Sequence, residues 1–438
     1  MRIIFVTILF DPEPAAQNGL PLARYLLSKG HDVKVLTGFP QYPGGKIYSG
    51  YRMRWRQWEV MDGVPVLRVP LYPSHDSNAL RRIFTYLSFT VSATTIGTAL
   101  IGGADVVYLY EPPPTIGLAS LMLKLFRGAP IVHHIQDMWP DTVVESGMIR
   151  GERRKRIAES LIGDWCRFLY GQAAAITVLS PGFKRLLVER KVPEDKIQVV
   201  YNGADERVFR PVDPDPALKA ELGMEGRFNI LYAGNFGPLQ DLNTIVRAAA
   251  LLRDQPHIQI VLVGTGPKES EVKALAAELG VGNVRFVKRR QYWEMPKIYG
   301  LADVSLIHLK DIRFLHATIP SKTQVSMICG IPILMAARGD AADLVESAGA
   351  GVTCPPENPE QMAAAMLHMS LLAKDQLKAM SVLARQYYLD NLSLAVGGEK
   401  INAVFEDTAL RYGRNRRRRQ LADAVAAARR GNTELPLK

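Results

Sequence analysis

Residues 209–216 read FRPVDPDP, and this stretch decides how the 438-residue chain is divided. Prolines at 211, 214 and 216 fix φ and remove backbone donors, so neither a helix nor a central strand can run through it. Before it, short β-branched runs at 3–8, 33–37, 64–69, 106–110, 131–136, 175–179 and 197–201 alternate with helical stretches such as 20–29. After it, the alternation begins again, with runs at 229–232, 259–263, 284–287, 304–307 and 331–335. Continuous apolar strands separated by helices imply parallel sheets covered on both faces. The expected fold class is therefore α/β, with two doubly wound Rossmann-like domains. Ligands in such domains bind beyond the carboxyl ends of the strands, which puts the expected site in the cleft between the two domains.

The rest of the composition agrees. Hydrophobic residues make up 47% and charged residues 22%, a globular balance, and 438 residues exceed what one core organises. Cys166, Cys329 and Cys354 are too few and too scattered for a disulfide framework or a zinc site, which suits a reducing compartment. The net charge of +11 gathers at 150–156, 288–290 and most densely at 411–419, a pattern open to phosphorylated ligands, anionic lipid or nucleic acid. Residues 1–10 read as a first buried strand and not as a signal peptide. Residues 83–104 carry no charge and are long enough to cross a bilayer. Their Thr, Ser and Gly content points instead to a buried or interfacial helix.

Four segments could carry chemistry. In Tyr232-Ala233-Gly234-Asn235-Phe236-Gly237 a strand meets a helix, and glycines there admit either a phosphate or a tight turn. Gly264-Thr265-Gly266 is half a dinucleotide fingerprint and reads first as a structural turn. Thr318-Ile319-Pro320-Ser321-Lys322 opens a helix, with Ser321 as its expected N-cap and Lys322 placed to meet a diphosphate. Residues 131–141, IVHHIQDMWPD, leave a strand and crowd His134, Gln136, Asp137, Trp139 and Asp141 at its carboxyl end. Indole faces suit sugar rings and carboxylates suit hydroxyls, while one of two successive histidines must face away from any site.

Together these segments resemble the family 4 retaining glycosyltransferases, in the branch that builds O-antigens, capsules and exopolysaccharides. The likeness runs in order from about Arg2 to Tyr412. It includes Pro12-Glu13, Gly30-His31-Asp32-Val33, the loop from Thr37 to Pro43, Asp137-Met138-Trp139-Pro140, and Asn202-Gly203-Ala204-Asp205 through Phe209. Gly234-Asn235-Phe236-Gly237, Gly264-Thr265-Gly266 and Pro320-Ser321-Lys322 complete it.

The resemblance implies a GT-B fold, with an acceptor domain at 1–208 and a nucleotide-sugar domain at 209–395. A helix at 396–412 would return to the first domain, followed by a basic tail at 413–438. It implies transfer with retained anomeric configuration, with no essential metal and no cofactor beyond the donor. The leaving phosphate would deprotonate the acceptor while the protein stabilises developing charge. The implied catalytic group is Asp137, Gln136 and His134. The implied donor contacts are Gly234, Asn235, Gly237, Lys288, Arg289, Thr318, Ser321 and Lys322, and the acceptor side is Gly19, Trp139 and Asp141. The partners expected are a nucleotide sugar, a polyprenyl-diphosphate-linked or other glycan acceptor and an anionic membrane surface, with no nucleic acid. The expected location is the cytoplasm, peripheral to the inner face of the cell membrane.

Departures from the family pattern are specific. Ala317 and Val325 stand where many relatives carry two glutamates, Asn235 and Gln240 where relatives place Arg and Lys, and Gln136 where a histidine is common. Pro14-Ala15-Ala16 replaces a glycine pair, leaving Gly19 further on. A non-hydrolysing sugar-nucleotide epimerase, which shares the two-domain fold, and a non-catalytic glycan-assembly protein are the competing readings. A nicotinamide-dependent dehydrogenase would need the complete fingerprint that is missing.

Overall fold

The structure, a computed structural model, describes residues 1–13, 19–74, 79–145 and 151–431. Pro14, Ala15, Ala16, Arg150 and residues 432–438 lie outside the described residues, as do the side chains of 414–431.

The first sheet has eight strands: β1 (Arg2–Val6), β2 (Asp32–Gly38), β3 (Gln57–Met61), β4 (Val64–Val69), β5 (Val106–Tyr110), β6 (Ile131–Ile135), β7 (Ala175–Val178) and β8 (Ile197–Val199). Their order is β3-β4-β2-β1-β5-β6-β7-β8, parallel except for the β3–β4 hairpin. The second sheet comprises β9 (Phe228–Asn235), β10 (Ile258–Thr265), β11 (Val284–Val287), β12 (Val304–His308), β13 (Ile333–Ala336) and β14 (Gly351–Cys354), in the all-parallel order β11-β10-β9-β12-β13-β14. The strand order reverses between β1 and β5 and again between β9 and β12, which opens one crevice per domain at those strand ends.

Helices of eight or more residues in the first half are α1 (Leu20–Ser28), α2 (Ala79–Ser92), α3 (Gly117–Arg127), α4 (Glu152–Gln172) and α5 (Pro181–Glu189). In the second half they are α6 (Leu242–Leu251), α7 (Glu269–Glu278), α8 (Ser321–Cys329), α9 (Asp340–Ser347), α10 (Pro359–Leu371), α11 (Lys374–Asn391) and α12 (Leu394–Gly431). Side chains alternate along each strand, so each sheet feeds two cores. In the first domain, Ile3 and Phe5 pack with Leu22 of α1 and Phe405 of α12, whereas Ile4 and Val6 pack with Phe89 of α2 and Leu123 of α3. The long last helix therefore lies on the first sheet. It continues without a break past residue 412 and through the expected basic tail as far as Gly431.

Two strands escape the sequence pattern. β3 shows no apolar run, because it is an exposed edge held by a charge. Arg68 of β4 is fully buried, and its guanidinium donates to Glu59 Oε1 at 2.5 Å, Gly38 O at 2.9 Å and Asp11 O at 2.5 Å. A buried cation is tolerable only when satisfied in this way. β14 is short and half-buried. The linker is anchored as well: the Phe209 ring meets Tyr292 and Tyr299 edge-on at 5.2 and 6.3 Å.

Glycine is compulsory where β9 and β10 run side by side. Gly264 has φ +151, and a Cβ there would overlap the Gly234 carbonyl oxygen. Gly226, at φ +62, has open space around it. Gly264→Ala should therefore cost about 3–5 kcal/mol from backbone strain plus overpacking, against about 1–2 kcal/mol for Gly226→Ala. Denaturant unfolding of the two variants checks this, and equal losses would refute the steric account.

Candidate functional site

The first-domain crevice is a 350 Å³ cavity. Thr7, Ile8 and Leu9 leave β1 at its floor, Gln41 and Tyr42 follow β2, and Tyr110 and Pro112 end β5. Gln136 and Asp137 follow β6, and the inner face of α2 contributes Arg82, Thr85 and Tyr86. Glu13, fully enclosed, shapes the rim by accepting the backbone N–H groups of Gln41 at 2.8 Å and Tyr42 at 2.7 Å.

Asp137 lines this cavity, and its carboxyl is pushed up to about 6, first by burial and then by the nearby Glu111. Glu111 follows β5, is completely buried, and meets His133 Nε2 in a hydrogen bond. Its Oε1 has no partner. Sequence reasoning missed Glu111, although a carboxylate directly after an apolar strand and before three prolines was a usable signal.

His134 does not reach the cavity. Alternation along β6 turns it into the core, where it stacks on Tyr110 at 5.4 Å and contacts Thr177 Oγ1 at 2.7 Å. Burial and the neighbouring His133 push its pKa down to about 3, so it stays neutral. Its Nε2 lies 2.5 Å from the Gln136 amide nitrogen, and Gln136 Oε1 in turn accepts from Asn202 Nδ2 at 2.8 Å. His134 thus lies behind Gln136 and away from the cavity lining, not at the cavity where it was expected.

The three acceptor-side expectations are also revised. Asp141 begins a short helix outside the cavity and pairs with Arg190 at 2.5 Å. Trp139 packs beside the Ile135–Met138 cluster, with its carbonyl accepting from Arg190 at 2.8 Å. Gly19 precedes α1, but the end of that helix is taken by Asp11, which accepts the Leu20 N–H at 3.0 Å. The α1 N-terminus therefore already holds an anion.

The second crevice opens at the end of β9. Gly234 is exposed with φ +156, and a Cβ on it would lie 3.2 Å from Lys322 Nζ. That ammonium is buried, has no hydrogen-bond partner, and sits 4.0 Å from the centre of the Tyr232 ring. Burial alone pushes its pKa down to about 7. Asn235 is exposed at the strand end, whereas Gly237 is buried beneath the Asn235 and Gln240 side chains. Ser321 is the first residue of α8 and not its cap, a place taken by Pro320. Thr318 donates its hydroxyl back to Phe314 O at 3.1 Å. Both hydroxyls were expected to face a phosphate, and only that of Ser321 is left exposed.

The two crevices approach each other through Arg289. Together with Lys288 it is exposed beyond β11. Burial raises the phenols of Tyr42 and Tyr48 across the cleft, and the Arg289 cation opposes that rise at both, joined at Tyr42 by Arg82. Lower down, the domains touch directly. Ser180 donates to Ala317 O at 2.5 Å, and Arg185 pairs with Asp340 at 2.7 Å.

Comparison with known proteins agrees with this layout. Residues 20–203 match the glycosyl transferase 4-like domain and residues 215–387 match the glycosyl transferases group 1 domain. WcaI of Escherichia coli strain K12, named as a glycosyl transferase of colanic acid biosynthesis, is 26% identical over 88% of this chain and 95% of its own. WbjE of Pseudomonas aeruginosa, named as a glycosyltransferase, is 26% identical over 66% of this chain and 70% of its own. Among solved structures, HepE of Anabaena in complex with UDP and glucose superposes over 93% of this chain and 99% of its own, with a TM-score of 0.67 at 15% identity. WaaG, a glycosyltransferase involved in lipopolysaccharide biosynthesis, superposes over 92% and 99%, with a TM-score of 0.62 at 17% identity.

The Asp137 carboxyl should titrate near 6 in carbon-13 NMR spectra of the folded protein. Glu111→Gln removes the second cause of the shift and leaves burial, so the midpoint should fall yet remain above the usual carboxylate value. A midpoint unchanged by Glu111→Gln would remove that carboxylate from Asp137's surroundings.

Proposed function

Because this chain belongs to the family 4 glycosyltransferases and has their GT-B fold, we propose that it moves a sugar from a UDP-linked donor to a lipid-linked glycan acceptor in surface polysaccharide synthesis. One observation carries the donor half of this reading: the buried, unpartnered Lys322 ammonium beside Gly234, at the reversal point of the second sheet. A buried cation without a counter-charge is unfavourable in the free protein, and a diphosphate would supply the missing charge. Lys288 and Arg289 add cations beyond β11, two strands from β9 in the same sheet. These three can offset a departing diphosphate, which supports a reaction that needs neither a metal ion nor a further cofactor. UDP is proposed because HepE, of the same fold, was solved with it.

Across the cleft, Asp137 supplies the negative charge. With a folded pKa of about 6, it is ionised at neutral pH and takes a proton as pH falls through that value. Opposite a sugar ring losing its leaving group, this carboxylate stabilises positive character at the anomeric carbon, and Gln136 offers an amide beside it. Retention of anomeric configuration follows if the acceptor hydroxyl attacks from the face that the phosphate leaves. The acceptor would occupy the 350 Å³ cavity under α2, and a lipid-linked acceptor would hold the enzyme at the inner face of the membrane.

Incubation with a panel of nucleotide sugars tests this directly. Slow hydrolysis of one donor is the expected result, whereas a new isomer with the nucleotide still attached would mean an epimerase. Asp137→Asn should cut turnover about 100-fold or more while changing donor affinity little, and the wild-type rate should fall as pH drops below about 6. A parallel loss of donor binding and folding would reduce Asp137 to a structural residue.

Lys322 yields a sharper signature. At pH 8 it is mostly neutral in the free enzyme, and a bound diphosphate favours the charged form. Binding of UDP should therefore take up close to one proton, and affinity should weaken by up to about tenfold per pH unit above 7. Calorimetry in buffers of differing ionisation enthalpy measures the proton. Lys322→Met should abolish the uptake, and an unchanged uptake would take Lys322 out of the donor site.

A further inference from the structure

Residues 51–58, YRMRWRQW, lead into β3 at the edge of the first sheet. Arg52, Arg54, Trp55, Arg56 and Trp58 are all exposed, and the two indoles are 59% and 43% open to solvent. The Arg56 guanidinium lies 4.4 Å from the centre of the Trp55 ring. Among the described residues, no carboxylate pairs with Arg52, Arg54 or Arg56, and the nearby Glu59 is committed to Arg68 at 2.5 Å. A charge or two suffices to keep a strand edge from pairing with another chain, whereas exposed indoles add apolar area that such a device avoids.

The fold ties this segment to the first-domain cavity. β3 runs antiparallel to β4, with Gln57 opposite Arg68, so the residues before β3 lie where the parallel strands finish, at the end of the sheet that carries the cavity. Arg68 marks that end: its guanidinium donates to Gly38 O, in the last residue of β2, and to Asp11 O, beyond β1, and the centre of the Tyr51 ring lies 5.0 Å from it. The chain between the cavity lining, at Gln41 and Tyr42, and Tyr51 is folded tightly on itself. Tyr48 donates its N–H to Pro40 O at 3.0 Å and its hydroxyl to Tyr42 O at 2.5 Å, and the Tyr51 N–H reaches Tyr48 O at 3.1 Å. The cavity rim and the arginine–tryptophan segment are therefore parts of one braced loop. Three strand spacings, from β1 to β3 in the order β3-β4-β2-β1, put the two about 14 Å apart.

We propose that residues 52–58 bind the far end of a carboxylate-bearing oligosaccharide whose near end occupies the cavity. This rests on the glycosyltransferase reading and deepens it by naming the chemistry of the acceptor, an acidic glycan several sugars long. The indoles receive the apolar faces of sugar rings, and the guanidinium forks of Arg52, Arg54 and Arg56 take carboxylates in paired hydrogen bonds. The stack of Arg56 on Trp55 holds one fork in place beside an indole. A neutral glycan would leave the three cations without a counter-charge. Nucleic acid also combines negative charge with stacking rings, but the braced loop joins this segment to the cavity proposed for the acceptor, and one ligand spanning both is the acceptor itself. A second copy pairing along β3 is the poorer occupant, because arginines at a strand edge oppose such pairing.

The test uses the full chain with hexagalacturonate and the neutral maltohexaose, read by calorimetry, and with UDP, read by thermal shift. At low salt the wild-type protein should bind hexagalacturonate about tenfold or more tightly than maltohexaose, and the difference should shrink at high salt. Arg54→Ser/Arg56→Ser should remove that preference, and Trp55→Ala/Trp58→Ala should weaken hexagalacturonate binding about tenfold or more. Both double variants should keep the wild-type thermal shift with UDP, which reports an intact fold and donor domain. Absent hexagalacturonate binding, equal binding of the two glycans by the wild type, or wild-type hexagalacturonate affinity in both double variants would overturn the proposal. Binding of single-stranded RNA or of phosphatidylglycerol vesicles that the variants abolish, with no binding of hexagalacturonate, would overturn it as well and reassign the segment. Failure of UDP to bind the wild type would instead sink the donor reading, which the glycan measurement does not touch.

Discussion

Asp340 opens α9 of the second domain, is only 5% exposed, and accepts from two groups of the first domain: the backbone N–H of Gly182 and the guanidinium of Arg185. Much of the cleft's geometry depends on this contact. It holds the start of α5 against residues 315–317, with Ser180 bonded to the Ala317 carbonyl and Gly182 pressed so closely on Ala317 that a Cβ would overlap it. A buried carboxylate satisfied by a peptide N–H and an arginine is a strong, directional fastening. It fixes the distance between the end of β6, where Asp137 lies, and the start of α8, where Lys322 lies.

The same contact explains an absence in the sequence. Position 317, where the family resemblance implies a glutamate, carries alanine, and the space beside it is filled by the first domain. Val325, at the second such position, belongs to the core of the second domain. A carboxylate at either place would be buried without a partner, which is costly. In the proposed reading the donor is met by cations instead: Lys322 beneath Gly234, with Lys288 and Arg289 beyond β11, two strands away in the order β11-β10-β9. Opposite them stands one carboxylate, Asp137, whose charge Glu111 makes harder to keep. On the proposed reading the cleft is electrically polarised, with cations on the donor wall and an anion where positive charge would develop.

The first domain divides its two sheet faces between different tasks. One face is closed by α1 and α12 and is wholly internal. The other is covered by α2 and α3, with α4 alongside, and these helices are apolar on both sides. That explains why residues 83–104 look like a membrane span when read as a string. Hydropathy averages over the helix and cannot separate the side that packs on the sheet from the side that faces outward.

The sequence by itself determined the two-domain parallel architecture, because alternating apolar strands and helices broken by FRPVDPDP allow few other folds. It also determined the strand ends that carry the site, since polar residues directly after apolar strands mark where packing stops. It missed β3, whose stability comes from Arg68 bonded to Glu59 and not from an apolar run, and β14, whose Gly-Val-Thr-Cys sequence is mostly half-buried and offers no continuous apolar run. Within the site, tertiary structure decided which residues of each polar cluster matter. His134 and Gln136 are two apart, yet one lies in the core and the other at the cavity. Asp141 and Asp137 are four apart, yet the first is taken by Arg190. Asp11 fills the helix end beside Gly19, and Glu111 acts on Asp137 from a different strand. These outcomes depend on partners distant in sequence, and no local pattern encodes whether a charge is already paired or still open to a ligand.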